Sequence, residues 1–310
     1  MIRVYFDRKP EIKGRYAYAV GAFDGIHRGH RFILQELKKL KEKKYIPSIL
    51  SFFPHPDAIL KKNTDFIFPV EERIRQMENE GIETIVFLKF DWEIAEMEAE
   101  EFVKTILKNE LDASWVIAGK NFTFGKSGEG DSELLVRLCS KYGIKANVID
   151  LFSSEDGKPI SSSLIREEMK KGNVERAVEL LGYNYYIRGK VIRGDGLGRK
   201  IGFPTSNIYP FWKVIIPDGV YATRCEIEGK KGKFAGALSI GPRPTFNKIE
   251  RVIEVYILDF KDNIYGREIK IEFLKRIREI KKFGNAQELV KQIERDVKEV
   301  QKITMANFKF

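Results

Sequence analysis

The chain has 310 residues, 43% of them hydrophobic and 32% charged, and a net charge of +10. This is the balance of a globular protein long enough for two domains of about 150 residues each. No apolar run approaches the roughly 20 residues a membrane span needs, and Met1–Pro10, with four charged residues and no apolar stretch, does not read as a secretory signal.

The first half alternates strand and helix patterns. Tyr16–Val20 is a short apolar run that stops at Gly21. Ile33, Leu37 and Leu40 then recur at helical spacing, and further apolar runs follow at Ile46–Phe53, Thr84–Phe90, Trp115–Ala118 and Ala146–Leu151, with the acidic stretch Glu71–Glu80 between the second strand and the third. Such alternation predicts βαβ units and a parallel sheet covered by helices, with ligands beyond the strand carboxyl ends. Cys139 and Cys225 have neither CxxC spacing nor a histidine neighbour. They are expected to be reduced thiols of a cytoplasmic protein.

The pattern changes after Gly182. Short β-rich runs, Tyr185–Ile192, Gly219–Ile227, Lys233–Ile240, Val252–Phe260 and Glu268–Phe273, are separated by glycines and prolines. They predict an antiparallel barrel or sandwich, closed by an amphipathic helix through Leu289, Ile293, Val297 and Val300. The expected domains are 1–183 and 184–310. Residues 1–183 hold 29 Lys and Arg against 30 Asp and Glu, while 184–310 hold 26 against 15. A basic half invites a nucleic-acid reading. No basic run reaches five residues, however, and no RRM or zinc-finger pattern appears, so a domain that handles a small anionic ligand is the expectation.

Gly21-Ala22-Phe23-Asp24-Gly25-Ile26-His27-Arg28-Gly29-His30 lies between the first predicted strand and the first helix. Glycines there let backbone approach phosphates, and a helix N-terminus favours anions. His27 and His30, three apart, share one face of the entering turn. Two imidazole donors at one polyphosphate would stabilise charge developing on phosphoryl oxygens. The third and last histidine, His55, stands in Phe53-Pro54-His55-Pro56 after the next strand. A zinc site is the competing reading, but it lacks cysteine or acidic ligands at suitable spacing.

Asn121 sits in the Gly-flanked aromatic loop Gly119–Gly125, where it could bond a ligand edge or simply occupy a turn. Ser161, Ser162 and Ser163 open a helix-like stretch with Arg166 one turn in. Serines there are commonly N-caps. Hydroxyls, free amides and an arginine at one helix start also make a phosphate site.

The second dense constellation is Gly194–Asn207, with glycines at 194, 196, 198 and 202, Arg199, Pro204, Thr205 and Asn207. The glycines make a phosphate-covering loop plausible, although no GK[ST] closes a Walker A motif. Thr205 and Asn207, two apart on one extended face, offer hard oxygen ligands that suit Mg²⁺ with bound phosphates. For PTSN alone an ordinary loop after a proline is the favoured reading. Glu254 lies on an apolar run, and periodicity alone would put it on the polar face of a strand.

Taken together these segments resemble the prokaryotic bifunctional riboflavin kinase/FMN adenylyltransferases. His27–His30 is similar to the HxGH element of adenylyl-transferring nucleotidyltransferases. Phe53–Pro56, Gly119–Gly125 and Ile160–Arg166 follow in the same order, with Ser163 where the family often has threonine. Gly194–Asn207 resembles the kinase signature, a Gly-rich loop followed by GFPTxN, and Pro217–Tyr221, Ser239–Phe246, Glu254–Phe260, Ile264–Arg267 and Lys281–Phe283 continue it.

The resemblance implies a Rossmann-like nucleotidyltransferase domain with a parallel sheet, followed by a small antiparallel β-barrel kinase domain with a C-terminal helix. It implies phosphorylation of riboflavin to FMN and adenylylation of FMN to FAD, using ATP and Mg²⁺, with flavins and ATP rather than nucleic acid or membrane as partners. His27, His30 and Arg166 are implied as catalytic for adenylylation and Glu254 for the kinase step. Gly21, Phe23, Asp24, Gly25, Gly29, His55, Asn121, the three serines and the Gly194–Asn207 loop are implied as binding residues. Tyr256 departs from the histidine many relatives carry.

Overall fold

The computed structural model describes residues 2–7, 9–11, 13–62, 65–150, 152–194, 196–244 and 249–307. Leu151, Asp195, Thr245 and Phe246, each part of a segment named above, lie outside the described residues. The chain divides into two compact units, Met1–Leu164 and Ile165–Phe310.

In the first unit, β1 (Arg3–Phe6), β2 (Tyr16–Val20), β3 (Ile46–Phe53), β4 (Thr84–Lys89), β5 (Ala113–Gly119) and β6 (Lys145–Ile149) form one sheet in the order β1-β4-β3-β2-β5-β6. Every pair is parallel. All five residues of β2 are buried, as a parallel strand covered on both faces requires. The helical segments are α1 (Arg28–Lys39), α2 (Pro56–Leu60), α3 (Val70–Asn79), α4 (Trp92–Ala95), α5 (Ala99–Glu101), a π-helix at Phe102–Glu110 and α6 (Ser132–Lys141), while α7 (Ser162–Lys171) crosses the boundary between the units. One face buries Tyr18, Leu50, Phe102 and Leu135, and the other buries Ala19, Leu34, Leu37 and Met77. The acidic stretch before β4 is therefore largely α3, with Met77 in the core. The sheet order reverses between β2 and β5, the topological switch point where α/β sheets open a crevice. The segments 21–30 and 119–125 leave these two strands.

The second unit holds α8 (Val174–Leu181), six antiparallel strands and two more helices. The strands β7 (Tyr186–Ile192), β8 (Ser206–Pro210), β9 (Gly219–Ile227), β10 (Phe234–Pro244), β11 (Ile249–Ile257) and β12 (Glu268–Arg278) close a barrel in the order β10-β11-β8-β7-β12-β9. A single-turn helix, α9 (Leu197–Lys200), sits in the glycine-rich loop, and α10 (Ala286–Asn307) packs on β9, β10 and β12 with Val300 against Leu258 and Leu274. Helix α8 lies against β12 and buries Val174, Ala177, Leu180 and Leu181. The expected fold class, a parallel α/β domain followed by an antiparallel barrel with a C-terminal helix, is the one observed.

Candidate active sites

In the first unit the chain leaves β2 at Gly21 and turns sharply before α1. Phe23 and Gly25 both take positive φ, 51° and 78°. A Cβ on Gly25 would stand 2.7 Å from Ile67, so only glycine fits there. Asp24 is fully buried, and its carboxylate accepts from the amides of Ile67 (3.1 and 3.2 Å) and Phe68 (3.2 Å). Its side chain thus braces the turn from below.

His27 is the N-cap of α1 and accepts the amide of His30 through Nδ1 at 3.3 Å. The two imidazoles stack with centroids 3.6 Å apart, and His30 packs on Phe23 at 4.9 Å. Gly29 permits this fold-back, because a Cβ there would sit 3.3 Å from the His27 ring. Burial pulls the pKa of His27 from 6.5 to about 3. It also lowers that of His30, with His27 and Arg73 adding to the effect. Both rings are therefore neutral at pH 7. Since Nδ1 of His27 is an acceptor, its proton sits on Nε2, available to donate. His55 caps α2, taking the Asp57 amide on Nδ1 at 3.1 Å.

Asn121 is exposed in the turn that follows β5, where the amide of Phe122 bonds the Gly119 carbonyl at 2.9 Å. The serines divide their work. Ser161 Oγ caps α7 by accepting from Leu164, Ser162 Oγ donates to the Asp24 carbonyl at 2.8 Å, and Ser163 is exposed. Arg166, buried, follows Ser162 by one turn of α7 and belongs to the second compact unit. Among the described residues no group of three or more His, Cys, Asp or Glu side chains is placed to hold a metal ion.

In the second unit a cavity of about 280 Å³ opens on the outer face of the barrel. It brings together Gly194, Gly196, Gly198, Thr205, Asn207 and Glu254. A Cβ on Gly194 would lie 2.4 Å from Asn207 Nδ2, and one on Gly198 would lie 3.1 Å from Thr205 Oγ1. The loop backbone therefore rests directly on these two side chains. Strand register sets Asn207 opposite Glu254, and Glu254 opposite Ser239. Three polar side chains thus form one row across β8, β11 and β10, while Ile208, Ile253 and Ile240 beside them point into the barrel core. Arg199, Gly202 and Pro204 belong to the same loop but do not line the cavity. Tyr256 packs against the cluster that holds Leu258, Leu274 and Val300 of α10, with Phe203 edge-on at 5.5 Å. A larger recess of about 670 Å³ lies across β7, β12 and β9. Most of its charged residues are paired, Arg188 with Glu268, Lys233 and Lys270 with Glu226, and Lys230 with Asp262 outside the recess, which leaves little for a ligand.

A family model described as FAD synthetase matches residues 9–164, and one described as riboflavin kinase matches residues 181–304. The bifunctional riboflavin kinase/FMN adenylyltransferase of Bacillus subtilis (strain 168) is 37% identical over 298 residues, covering 93% of this chain and 92% of its own. The chain belongs to the bifunctional riboflavin kinase/FMN adenylyltransferase family. It phosphorylates riboflavin to FMN and adenylylates FMN to FAD, with ATP as substrate. The Escherichia coli (strain K12) relative of the same description is 35% identical over 281 residues and 89% of each chain. A crystal structure from Streptococcus pneumoniae, described as a macrolide-efflux protein, superposes with a TM-score of 0.86 at 30% identity, covering 96% of this chain and 98% of its own. Among the described residues here, no helix is long and apolar enough to cross a membrane.

The FAD synthetase match ends where the first compact unit ends, and the riboflavin kinase match begins at Leu181, the last residue of α8. Two polar residues at these sites carry no sequence signal of their own. Ser239 appears only inside the Ser239–Phe246 segment, and its place beside Glu254 follows from the barrel register. Arg73 belongs to no motif, yet lies buried near Asp24 and His30.

Proposed function

We propose that the Gly21–His30 turn holds the ATP polyphosphate for adenylylation, and that the barrel cavity holds ATP and the ribityl hydroxyl of riboflavin against Glu254. In the first reaction an FMN phosphate oxygen bonds to the α-phosphorus and pyrophosphate leaves. That nucleophile is already ionised at neutral pH, so positioning and charge stabilisation suffice. His27 and His30, as neutral donors, face the developing charge, and the start of α7 with Ser163 serves the same phosphates. Asn121 takes a flavin or nucleotide edge, and His55 and Asp24 shape the surrounding loops.

The kinase step differs because a hydroxyl is far too weak an acid to ionise. Glu254 accepts the hydroxyl proton as the oxygen bonds to the γ-phosphorus and ADP leaves. Thr205 and Asn207 fit Mg²⁺, since a hydroxyl and an amide oxygen meet under glycines whose Cβ atoms would fill the space. Mg²⁺ would there neutralise charge on the ATP phosphates. All the proposed kinase residues lie in 184–310 and the proposed adenylylation residues in 1–183, which supports that functional division. The excess positive charge of the second half serves ATP rather than nucleic acid. Two free, buried cysteines, each with its thiol pKa pushed up to about 12 by burial, suit a cytoplasmic setting.

The observation that carries this reading is the row Asn207–Glu254–Ser239 beneath the glycine loop. Glu254→Gln keeps size and hydrogen bonding but removes basicity. The expected result is a fall in riboflavin phosphorylation of about 10²–10⁴-fold with adenylylation of supplied FMN intact. The converse variant, His27→Ala with His30→Ala, should lose FAD formation and keep FMN formation. A Glu254→Gln kinase rate within a few-fold of wild type, or normal FAD synthesis by the double variant, defeats the corresponding assignment.

A further inference from the structure

Beneath the first site lies a cation that no motif includes. Arg73, on α3, is only 3% exposed. A buried charge is costly unless it is partnered, and arginine is the cation best suited to such a place. Its Nη2 donates to Ser51 Oγ at 2.7 Å, its guanidinium carbon lies 5.4 Å from the Phe87 ring centroid, and its Nε has no hydrogen-bond partner among the described residues. Ser51 Oγ in turn donates to the carbonyl of Ala22 at 3.2 Å. A two-bond relay therefore runs from Arg73 to the backbone of the Gly21–His30 turn.

Burial lowers the guanidinium pKa to about 10, against the opposing pull of Asp24, so Arg73 stays charged at neutral pH. The carboxylate of Asp24 is itself occupied by the Ile67 and Phe68 amides. Arg73 thus places a fixed positive charge under the turn rather than closing a simple ion pair.

The geometry points to Arg73 as a positioning residue for adenylyl transfer, which fixes the Ala22 carbonyl through Ser51 and sets a permanent positive charge beneath the turn that receives the ATP phosphates. The inference rests on the reading of that turn given above. A purely structural arginine, packed on Phe87, would support folding and nothing more. A positioning arginine governs turnover more than substrate affinity, because a displacement of about 1 Å at a reacting group can cost 10²-fold in rate. The charge also helps keep His30 neutral, behind the larger effects of burial and His27.

Arg73→Met, Arg73→Lys and Ser51→Ala in the full chain test this. Each is assayed for adenylylation of supplied FMN and, in the same preparation, for phosphorylation of riboflavin, whose site lies in the other unit. Arg73→Met is expected to lose about 10²-fold in adenylylation kcat with a change in KM for ATP of only a few-fold. Arg73→Lys, which keeps the charge, should recover about tenfold of that loss, and Ser51→Ala, which cuts the relay, should lose several-fold. Kinase activity should stay at the wild-type level throughout. Adenylylation by Arg73→Met within a few-fold of wild type overturns the proposal, as does a lysine variant no better than the methionine one. If Arg73→Met does not fold, the other two variants decide: wild-type turnover by Ser51→Ala, or no turnover by a folded Arg73→Lys, also overturns it. The His27→Ala, His30→Ala variant separates the two failures, since its retained FAD synthesis would remove the turn itself from the reaction.

Discussion

The protonation state of His27 makes a prediction that reaches beyond activity. Its imidazole is 4% exposed, and burial pulls its pKa from 6.5 to about 3. An unfolded chain would bind a proton near pH 6.5 that the native state refuses until about pH 3. The native state therefore has its full stability above pH 6.5 and loses it as pH falls, by up to 1.36 kcal/mol per pH unit. Between pH 7 and pH 5 this histidine alone should cost the first unit about 2 kcal/mol. Urea unfolding of full-length protein in a Trp212→Phe background, followed by the fluorescence of Trp92 and Trp115, reports on that unit. Comparison with His27→Gln cancels the other titrating groups. The stability difference between the two proteins should shift by about 2 kcal/mol over this pH range, in the direction that favours the glutamine variant at pH 5. Parallel pH curves would refute the reasoning, and with it the neutral, Nε2-protonated donor that adenylylation is proposed to use.

Two further perturbations separate backbone geometry from chemistry. Gly194→Ala places a Cβ 2.4 Å from the buried Asn207 amide, so riboflavin phosphorylation should fall by tenfold or more while FMN adenylylation holds, as a comparison of product formation from the two flavins will show. Gly196→Ala meets nothing within 4 Å and suffers only its positive φ of 68°, a cost of about 1 kcal/mol that should leave a much smaller kinase defect. A fragment of residues 165–310 should fold and make FMN. One of residues 184–310 should be far less stable by thermal unfolding, because it lacks α8, and burying each valine or leucine contributes roughly 1.5–3 kcal/mol. Equal stability of the two fragments would show that α8 is dispensable to the barrel.

The elements that were legible in the sequence are those whose period or punctuation is set locally. β2, β3, β4 and β5 are apolar runs because both faces of a parallel strand are buried, and α1 shows its buried face through the spacing of Ile33, Leu37 and Leu40. β1 was missed. Arg3 and Asp7 give it the charge of a terminus, and as an edge strand it buries only Tyr5. β8 carries no such apolar run either, since Ser206–Pro210 follows the glycine-rich loop directly, whereas β9 spans the expected Gly219–Ile227. β10 and β12 continue through Pro244 and Arg278, beyond the apolar runs that end at Ile240 and Phe273. Helix α8 reads as the tail of the first half, since nothing local reveals that Leu180 and Leu181 are buried in the unit that holds β12.

The same distinction divides the candidate sites. Glycines and histidines announce themselves, because a turn that admits only glycine and a capping imidazole are local facts, seen at Gly25, Gly29 and His27. What a strand residue faces is not local. Glu254 gains meaning from Asn207 on one side and Ser239 on the other, 47 and 15 residues away in sequence, and only a closed barrel sets that register. Arg73 is harder still to find. On α3 it sits among the charged residues Glu71, Glu72 and Arg75, in a segment that reads as a solvated face, yet its guanidinium is buried beside Ser51 and Phe87. A buried cation beneath the turn proposed to bind phosphate is adopted when a strand, a helix and a loop converge, and each of the three looks ordinary alone. Residues proposed to touch substrate are thus the ones a sequence displays, whereas residues proposed to hold them in place have to be found by burial and by hydrogen bonds followed inward from the site.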